Sequence, residues 1–252
     1  MPLYQRFARI YRAARWTQFS QHLADFLPEL LAHYNLPSSG SLLDVACGEG
    51  TFALQAAKTG WKVTGLDQSA EMLALAHASA QNLPVDFIQA DMRTFHLSPE
   101  MDIVTCWFDS LNYLQSEDDL TAAFKNIRHA LKPGGWFFFD MNTVRGLTVQ
   151  WQASPVLLQM DSEDLFIVSR PGFDYENQTA SLHITIFEKN GELWERCDET
   201  HFEKAFPVRV IETCLAKAGL EVIDRFSSLR NFLPCTPEDN RVWYAVQKPA
   251  GG

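Results

Sequence analysis

The stretch Leu42-Leu43-Asp44-Val45-Ala46-Cys47-Gly48-Glu49-Gly50-Thr51 decides the fold. It opens as an apolar run with the composition of a buried strand, breaks at two glycines, and passes into a helical pattern over 51–58. A strand feeding a helix through a glycine turn is the repeating unit of a parallel sheet, whose neighbouring strands need a crossover. The rhythm continues outward. Residues 62–66 read as a strand, 69–80 as a helix, 85–89 and 102–107 as the third and fourth strands, and 136–141 as the fifth. Ser116 and Asp119 have capping-box spacing at an acidic helix start, and Lys132-Pro133-Gly134-Gly135 reads as a helix stop followed by a turn. Two helical stretches, 3–15 and 17–34, come before the sheet. The pattern predicts an α/β fold with a mostly parallel sheet covered by helices on both faces. Sites in such sheets lie beyond the carboxyl ends of the strands.

After residue 150 the rhythm changes. Residues 165–170, 181–188 and 192–201 read as strands, with Asn190-Gly191 as a hairpin signal. Leu182, Ile184 and Ile186 alternate with His183, Thr185 and Phe187, so one face is aliphatic and the other mixed. A helix over 208–218 and strands over 220–226 and 241–247 then resume the core. The expected division is a core of 1–150 and 207–252 with an N-terminal helical cap, and an inserted antiparallel sheet over 151–206.

Composition narrows the function classes. With 252 residues, 46% apolar and 21% charged, the chain has ordinary globular composition. A net charge of −10 argues against holding nucleic acid by phosphate neutralisation and against an anionic membrane surface. The acids are densest in 151–206, with 11 against 4 basic residues. Five cysteines without C-x-x-C spacing predict no disulfide framework, no metal site and a reducing, cytoplasmic setting. No apolar run reaches the roughly 18 residues of a membrane span. Arg6, Arg9, Arg12 and Arg15 precede the first acid, Asp25. That start reads either as a mitochondrial presequence or as a helix with one cationic face opposite Phe7, Ile10, Tyr11 and Ala14; scarce serine favours the helix.

The glycine loop fits G-x-G-x-x-A with Asp67 after the second strand, a pattern compatible with a dinucleotide site and hence with an NAD-dependent oxidoreductase. Glu49 between the glycines is unfavourable to a pyrophosphate, and Asp44 adds a second acid to the mouth. A ligand with a cationic centre, an amino group and a ribose diol, but no phosphate, suits it better. S-adenosyl-L-methionine is such a ligand. Asp67 offers lone pairs to two ribose hydroxyls. Asp91, after the third strand, is placed for the adenine amino group, with Met72 and Met92 as soft ring contacts. Each has a plainer reading: a local backbone bond for Asp44, a helix cap for Asp67, and a solvated loop acid for Asp91.

Five segments then fall in order on the predicted strand ends: 42–51, Leu66-Asp67-Gln68-Ser69-Ala70-Glu71-Met72-Leu73, Ala90-Asp91-Met92, 102–110 and Leu131-Lys132-Pro133-Gly134-Gly135. Together they resemble the motifs of class I S-adenosylmethionine-dependent methyltransferases. Tyr4-x-x-Phe7-Ala8-x-Ile10-Tyr11 and the late inserted sheet resemble a small-molecule subgroup that includes amino-sugar N-methyltransferases. The acid usual after Tyr11 in that subgroup is Arg12 here. The resemblance implies a seven-stranded Rossmann-like sheet with its last strand antiparallel. It implies that Tyr4 or Tyr11 closes over the methionine part, and that the backbone from Ala46 to Gly50 meets the amino-acid end.

The expected cofactor contacts are Tyr4, Tyr11, Asp44, Ala46, Cys47, Gly48, Gly50, Asp67, Gln68, Met72, Asp91, Met92 and Phe108. Asp109, Asn112, Asn142, Arg170, His183 and His201 are the candidates for a small-molecule acceptor. His201, Asp140 and Tyr11 are the candidates for catalysis, which is expected to work mainly by proximity and in-line alignment, with N- or O-methylation open. A fold that holds the cofactor without chemistry is the remaining alternative.

Overall fold

The computed structural model describes residues 7–12, 14, 16–81, 83–98 and 100–251, so Tyr4 lies outside the described residues. A short helix α1 (Phe7–Tyr11) and a long helix α2 (Thr17–His33) lead into β1 (Ser41–Val45), α3 (Thr51–Lys58), β2 (Lys62–Asp67), α4 (Ala70–Ala80), β3 (Val85–Gln89) and β4 (Met101–Cys106). Then come α5 (Glu117–Ala130), β5 (Leu131–Asn142), four strands β6 (Leu157–Asp161), β7 (Leu165–Asp174), β8 (Thr179–Asn190) and β9 (Leu193–Lys204), and finally α6 (Val208–Ala218), β10 (Glu221–Phe226) and β11 (Arg241–Gln247).

Seven strands form one sheet in the order β10-β11-β5-β4-β1-β2-β3, with only β11 antiparallel to its neighbours. Apolar side chains of α5 and α6 cover one face and those of α2 and α3 the other. The chain winds outward in opposite directions from β1 and β4, so a crevice opens beyond their carboxyl ends. Local chemistry agrees with these elements. Ser69 and Ser116 cap α4 and α5 by accepting hydrogen bonds from Met72 N and Asp119 N, and Gly219 ends α6 at φ +76°.

The second sheet is antiparallel, in the order β6-β7-β8-β9. It has four strands where the pattern predicted three. The short edge strand β6 lacks clear alternation, and β7 runs on through Pro171-Gly172, a pair that reads as a strand end. The first helix is also shorter than the expected 3–15. Its Ile10, with Ala14 just beyond, packs on Leu165, Ile167, Ile184 and Ile186, which fastens the N-terminal segment to the second sheet. Among the described residues no helix is long and apolar enough to cross a membrane.

Candidate active site

Strand ends set the site. Asp44, near the end of β1, is buried and accepts a hydrogen bond from Thr105 Oγ1 at 2.8 Å. Burial raises its carboxyl to about 7, with the nearby Asp67 carboxylate adding to the rise and the Thr105 hydrogen bond opposing it. Asp67, at the end of β2, accepts from Gly48 N and Ser69 N, both at 2.8 Å, so it also ties the glycine turn to the start of α4. Burial raises its pKa as well. Ala46 after β1 (φ +58°), and Phe108 (φ +59°) and Asp109 (φ +50°) after β4, hold left-handed backbone that non-glycine residues seldom adopt. Strain of this kind costs about 1–3 kcal/mol per residue and clusters where a site needs the chain to turn sharply.

The two glycines do different work. A Cβ at Gly48 would meet nothing within 4 Å, so its backbone stands open to the crevice. Gly50 (φ +84°) starts α3, and a Cβ there would come within 3.0 Å of Ala76 and Phe87. Gly50 therefore serves packing and lies outside the cavity it was expected to line. Glu49 is buried, and Arg12 Nε and Nη2 reach its Oε2 at 2.9 and 2.7 Å. Arg12 Nη2 also donates to Ser79 Oγ at 2.6 Å. The residue that departs from the subgroup's pattern thus bolts the N-terminal segment across the glycine turn.

A cavity of about 320 Å³ fills the crevice. Asp44, Ala46, Cys47, Gly48, Asp67, Gln68, Met72, Asp91, Met92, Phe108 and Tyr11 line it, which brings together the expected cofactor contacts apart from Gly50 and Tyr4. Asp91 is held by Arg93 (2.6 Å), whose hydrogen bond keeps its carboxyl below the usual range. Trp107 lines the same wall, and its buried Nε1 has no hydrogen-bond partner among the described residues. Two acids for an ammonium and a diol, beside an open backbone turn, fit S-adenosylmethionine.

A second cavity of about 230 Å³ adjoins the first and shares Tyr11, Phe108 and Tyr113 with it. Asp109 and His201 line it, together with Glu203 and Arg241, which the sequence reading did not single out. Tyr113 Oη and His201 Nδ1 are 2.9 Å apart, and His201 Nε2 lies 3.3 Å from Glu199 Oε1. Five other candidates sit elsewhere. Asp140 is fully buried, accepts from Phe108 N (2.7 Å) and Asp109 N (3.0 Å), and pairs with Arg241, so it builds the turn after β4. Asn112 Nδ2 donates to the carbonyls of Asn142 (3.1 Å) and Lys204 (2.9 Å), while its Oδ1 accepts from Asn142 N. The Asn142 side chain in turn bridges Asp109 and Glu203. Arg170 and His183 are register partners on the face of the second sheet opposite Leu182 and Ile184, where they bond Thr185 and Thr200. Strand alternation decides that outcome. The same alternation puts Glu203 on the face of His201, a signal present in the sequence.

Comparison with known proteins agrees with this geometry. The family described as Methyltransferase domain matches residues 42–135. The provisionally named methyltransferase YqeM of Bacillus subtilis (strain 168) is 30% identical over 253 residues, covering 98% of this chain and 97% of that protein. The chain is a class I S-adenosylmethionine-dependent methyltransferase. This methyltransferase is also similar to the dTDP-3-amino-3,6-dideoxy-alpha-D-glucopyranose N,N-dimethyltransferase of Streptomyces fradiae, 35% identical over 66% of this chain and 71% of that one. A crystal structure of an S-adenosylmethionine-dependent methyltransferase from Clostridium acetobutylicum ATCC 824 superposes with a TM-score of 0.85 at 28% identity, covering 98% of this chain and all of that one. S-adenosyl-L-methionine is the cofactor, and the nicotinamide alternative falls with the family assignment.

Proposed function

We propose that this methyltransferase methylates an amine on a small molecule held in the second cavity. The carrying observation is the wall of Tyr11, Phe108 and Tyr113 common to the two cavities, which gives cofactor and acceptor one meeting point. When bound, S-adenosylmethionine supplies a methyl group on a sulfonium centre, already activated for in-line displacement. The protein's task is then to bind, align and exclude water, and alignment is worth roughly 7–11 kcal/mol. Asp44 and the open turn at Gly48 hold the amino-acid end, and Asp67 takes the ribose hydroxyls. Asp91, Met72 and Met92 flank the adenine. In the same reading 151–206 is a lid inserted in a core of 1–150 and 207–252, with β8 and β9 roofing the acceptor. Its aliphatic face and acidic floor suit a cation with an apolar body, and the amino-sugar acceptors in the names of relatives have that nitrogen.

The test is a titration with S-adenosylmethionine, followed by an acceptor panel led by dTDP-3-amino-3,6-dideoxy-α-D-glucopyranose, read as S-adenosylhomocysteine release. Asp67→Ala is expected to weaken cofactor binding at least 100-fold, because two charge-assisted hydrogen bonds at about 1.5–3 kcal/mol each are lost. Phenols or carboxylates methylated in preference to amines would refute the acceptor class.

A further inference from the structure

Charge at the floor of the second cavity does not balance. Asp109 and Glu203 line it, and among the described residues Arg241 is the cation beside them, pairing with Asp109 at 2.9 Å and also with the buried Asp140, which lies outside the cavity lining. Arg241 is thereby spent on the two aspartates. Glu203 is 3% exposed. Its Oε2 accepts from Asn142 Nδ2 at 2.9 Å, while Oε1 has no hydrogen bond among the described residues, and the side chain lines the cavity. A buried carboxylate with an unused oxygen facing a cavity is costly unless a cation or donor arrives. The walls beside it are aromatic and aliphatic, from Trp16, Trp151, Leu182 and Ile184. Aromatic faces attract cations, and the aliphatic side chains accept an apolar body.

Resting on the function proposed above, we propose that Glu203 is the acceptor-binding and proton-accepting residue: its Oε1 receives the N–H of the acceptor's ammonium group. One N–H proton passes to the carboxylate, leaving a neutral amine and a neutral carboxylic acid. The nitrogen lone pair then forms the bond to the methyl carbon as the carbon–sulfur pair leaves on sulfur. Positive charge returns to nitrogen, and the proton on Glu203 goes to solvent as product departs. Asp109, Arg241, His201, Tyr113 and Tyr11 are the titratable groups that share this floor and wall, and Asp140, outside the lining, acts on Glu203 through its charge. Burial first, and the Asp109 carboxylate second, raise the affinity of Glu203 for a proton.

The test uses the full chain saturated with S-adenosylhomocysteine. Calorimetry measures the binding of 2-phenylethylamine, as its ammonium, against its neutral isostere 2-phenylethanol. The wild type is expected to prefer the ammonium at least tenfold at pH 7. In Glu203→Gln the preference falls to twofold or less, while Glu203→Asp recovers part of it. Unchanged S-adenosylhomocysteine affinity shows that the variants are folded. Equal affinity for the two ligands in the wild type, no ammonium binding at millimolar concentration, or an unchanged preference in Glu203→Gln overturns the assignment. Those outcomes leave the methyltransferase reading standing, because the acceptor panel with wild-type protein tests it separately.

Discussion

The two cavities meet at one wall but are built in opposite ways. The cofactor side comes from segments close in sequence, the ends of β1 and β2 and the turns after them, and its key bonds join Gly48, Asp67 and Ser69. The second cavity is assembled from residues far apart in the chain: Asp109, Glu203 and Arg241, with Asn142 bridging the two acids, come from four different elements. A locally built half is robust and generic. A half built at long range depends on the whole fold, so its few charged side chains carry more of the stability.

The sharpest way to break that contrast is Arg241→Met. It leaves Asp109 and Asp140 buried without their cation, and removing one partner from a buried ionic cluster costs about 3–5 kcal/mol. Urea unfolding should show that loss, with cofactor affinity in the folded fraction changed far less than acceptor affinity. Equal damage to both affinities would mean that the halves are not separable.

A second prediction concerns pH. Burial raises Asp44 from the ordinary 3.8 to about 7, so the folded protein holds a proton there that the unfolded chain releases near 4. This contribution to stability is full below about pH 4 and is lost as pH rises through about 7. Asp91 and Asp198, lowered chiefly by hydrogen bonds from Arg93 and Arg196, titrate below that window. Urea unfolding of the cofactor-free protein from pH 5 to 7.5 should therefore show a fall that is shallower in Asp44→Asn. Saturating S-adenosylmethionine should flatten it in the wild type, because the ammonium favours the ionised carboxylate.

The smallest effect on stability is expected from Arg12→Ala. Arg12 is 47% exposed, and water reaches Glu49 once its cover is removed, so the cost should stay under about 1 kcal/mol. Cofactor dissociation, followed by stopped flow, should quicken several-fold because the N-terminal segment loses its bolt. An unchanged rate would show that this segment does not gate the cofactor cavity.

The same contrast governs what was legible in the sequence. Asp44, Gly48 and Asp67 could be placed because a strand end and the turn after it are local features with a fixed order. Gly50 was misplaced because a glycine required by Ala76 and Phe87 looks the same in sequence as one required by a ligand. Arg170 and His183 were misplaced on chemistry alone, although the alternation of β8 already set His183 opposite Leu182 and Ile184. Glu203 shares a face with His201 and was within reach of that rule. Arg241 was not, because only the antiparallel pairing of β11 with β5 brings it to Asp140.

Asn112 has a consequence of another kind. The chain leaves the parallel sheet at Asn142 and comes back at Lys204, and a single buried amide grips both points. The intervening segment is therefore a loop already closed at its neck. Doubling the length of such a loop costs only about 0.6 kcal/mol in closure entropy. Segments of different length can be accommodated at this neck while the parallel sheet stays as it is, which makes Asn112 the fastening point of the second sheet.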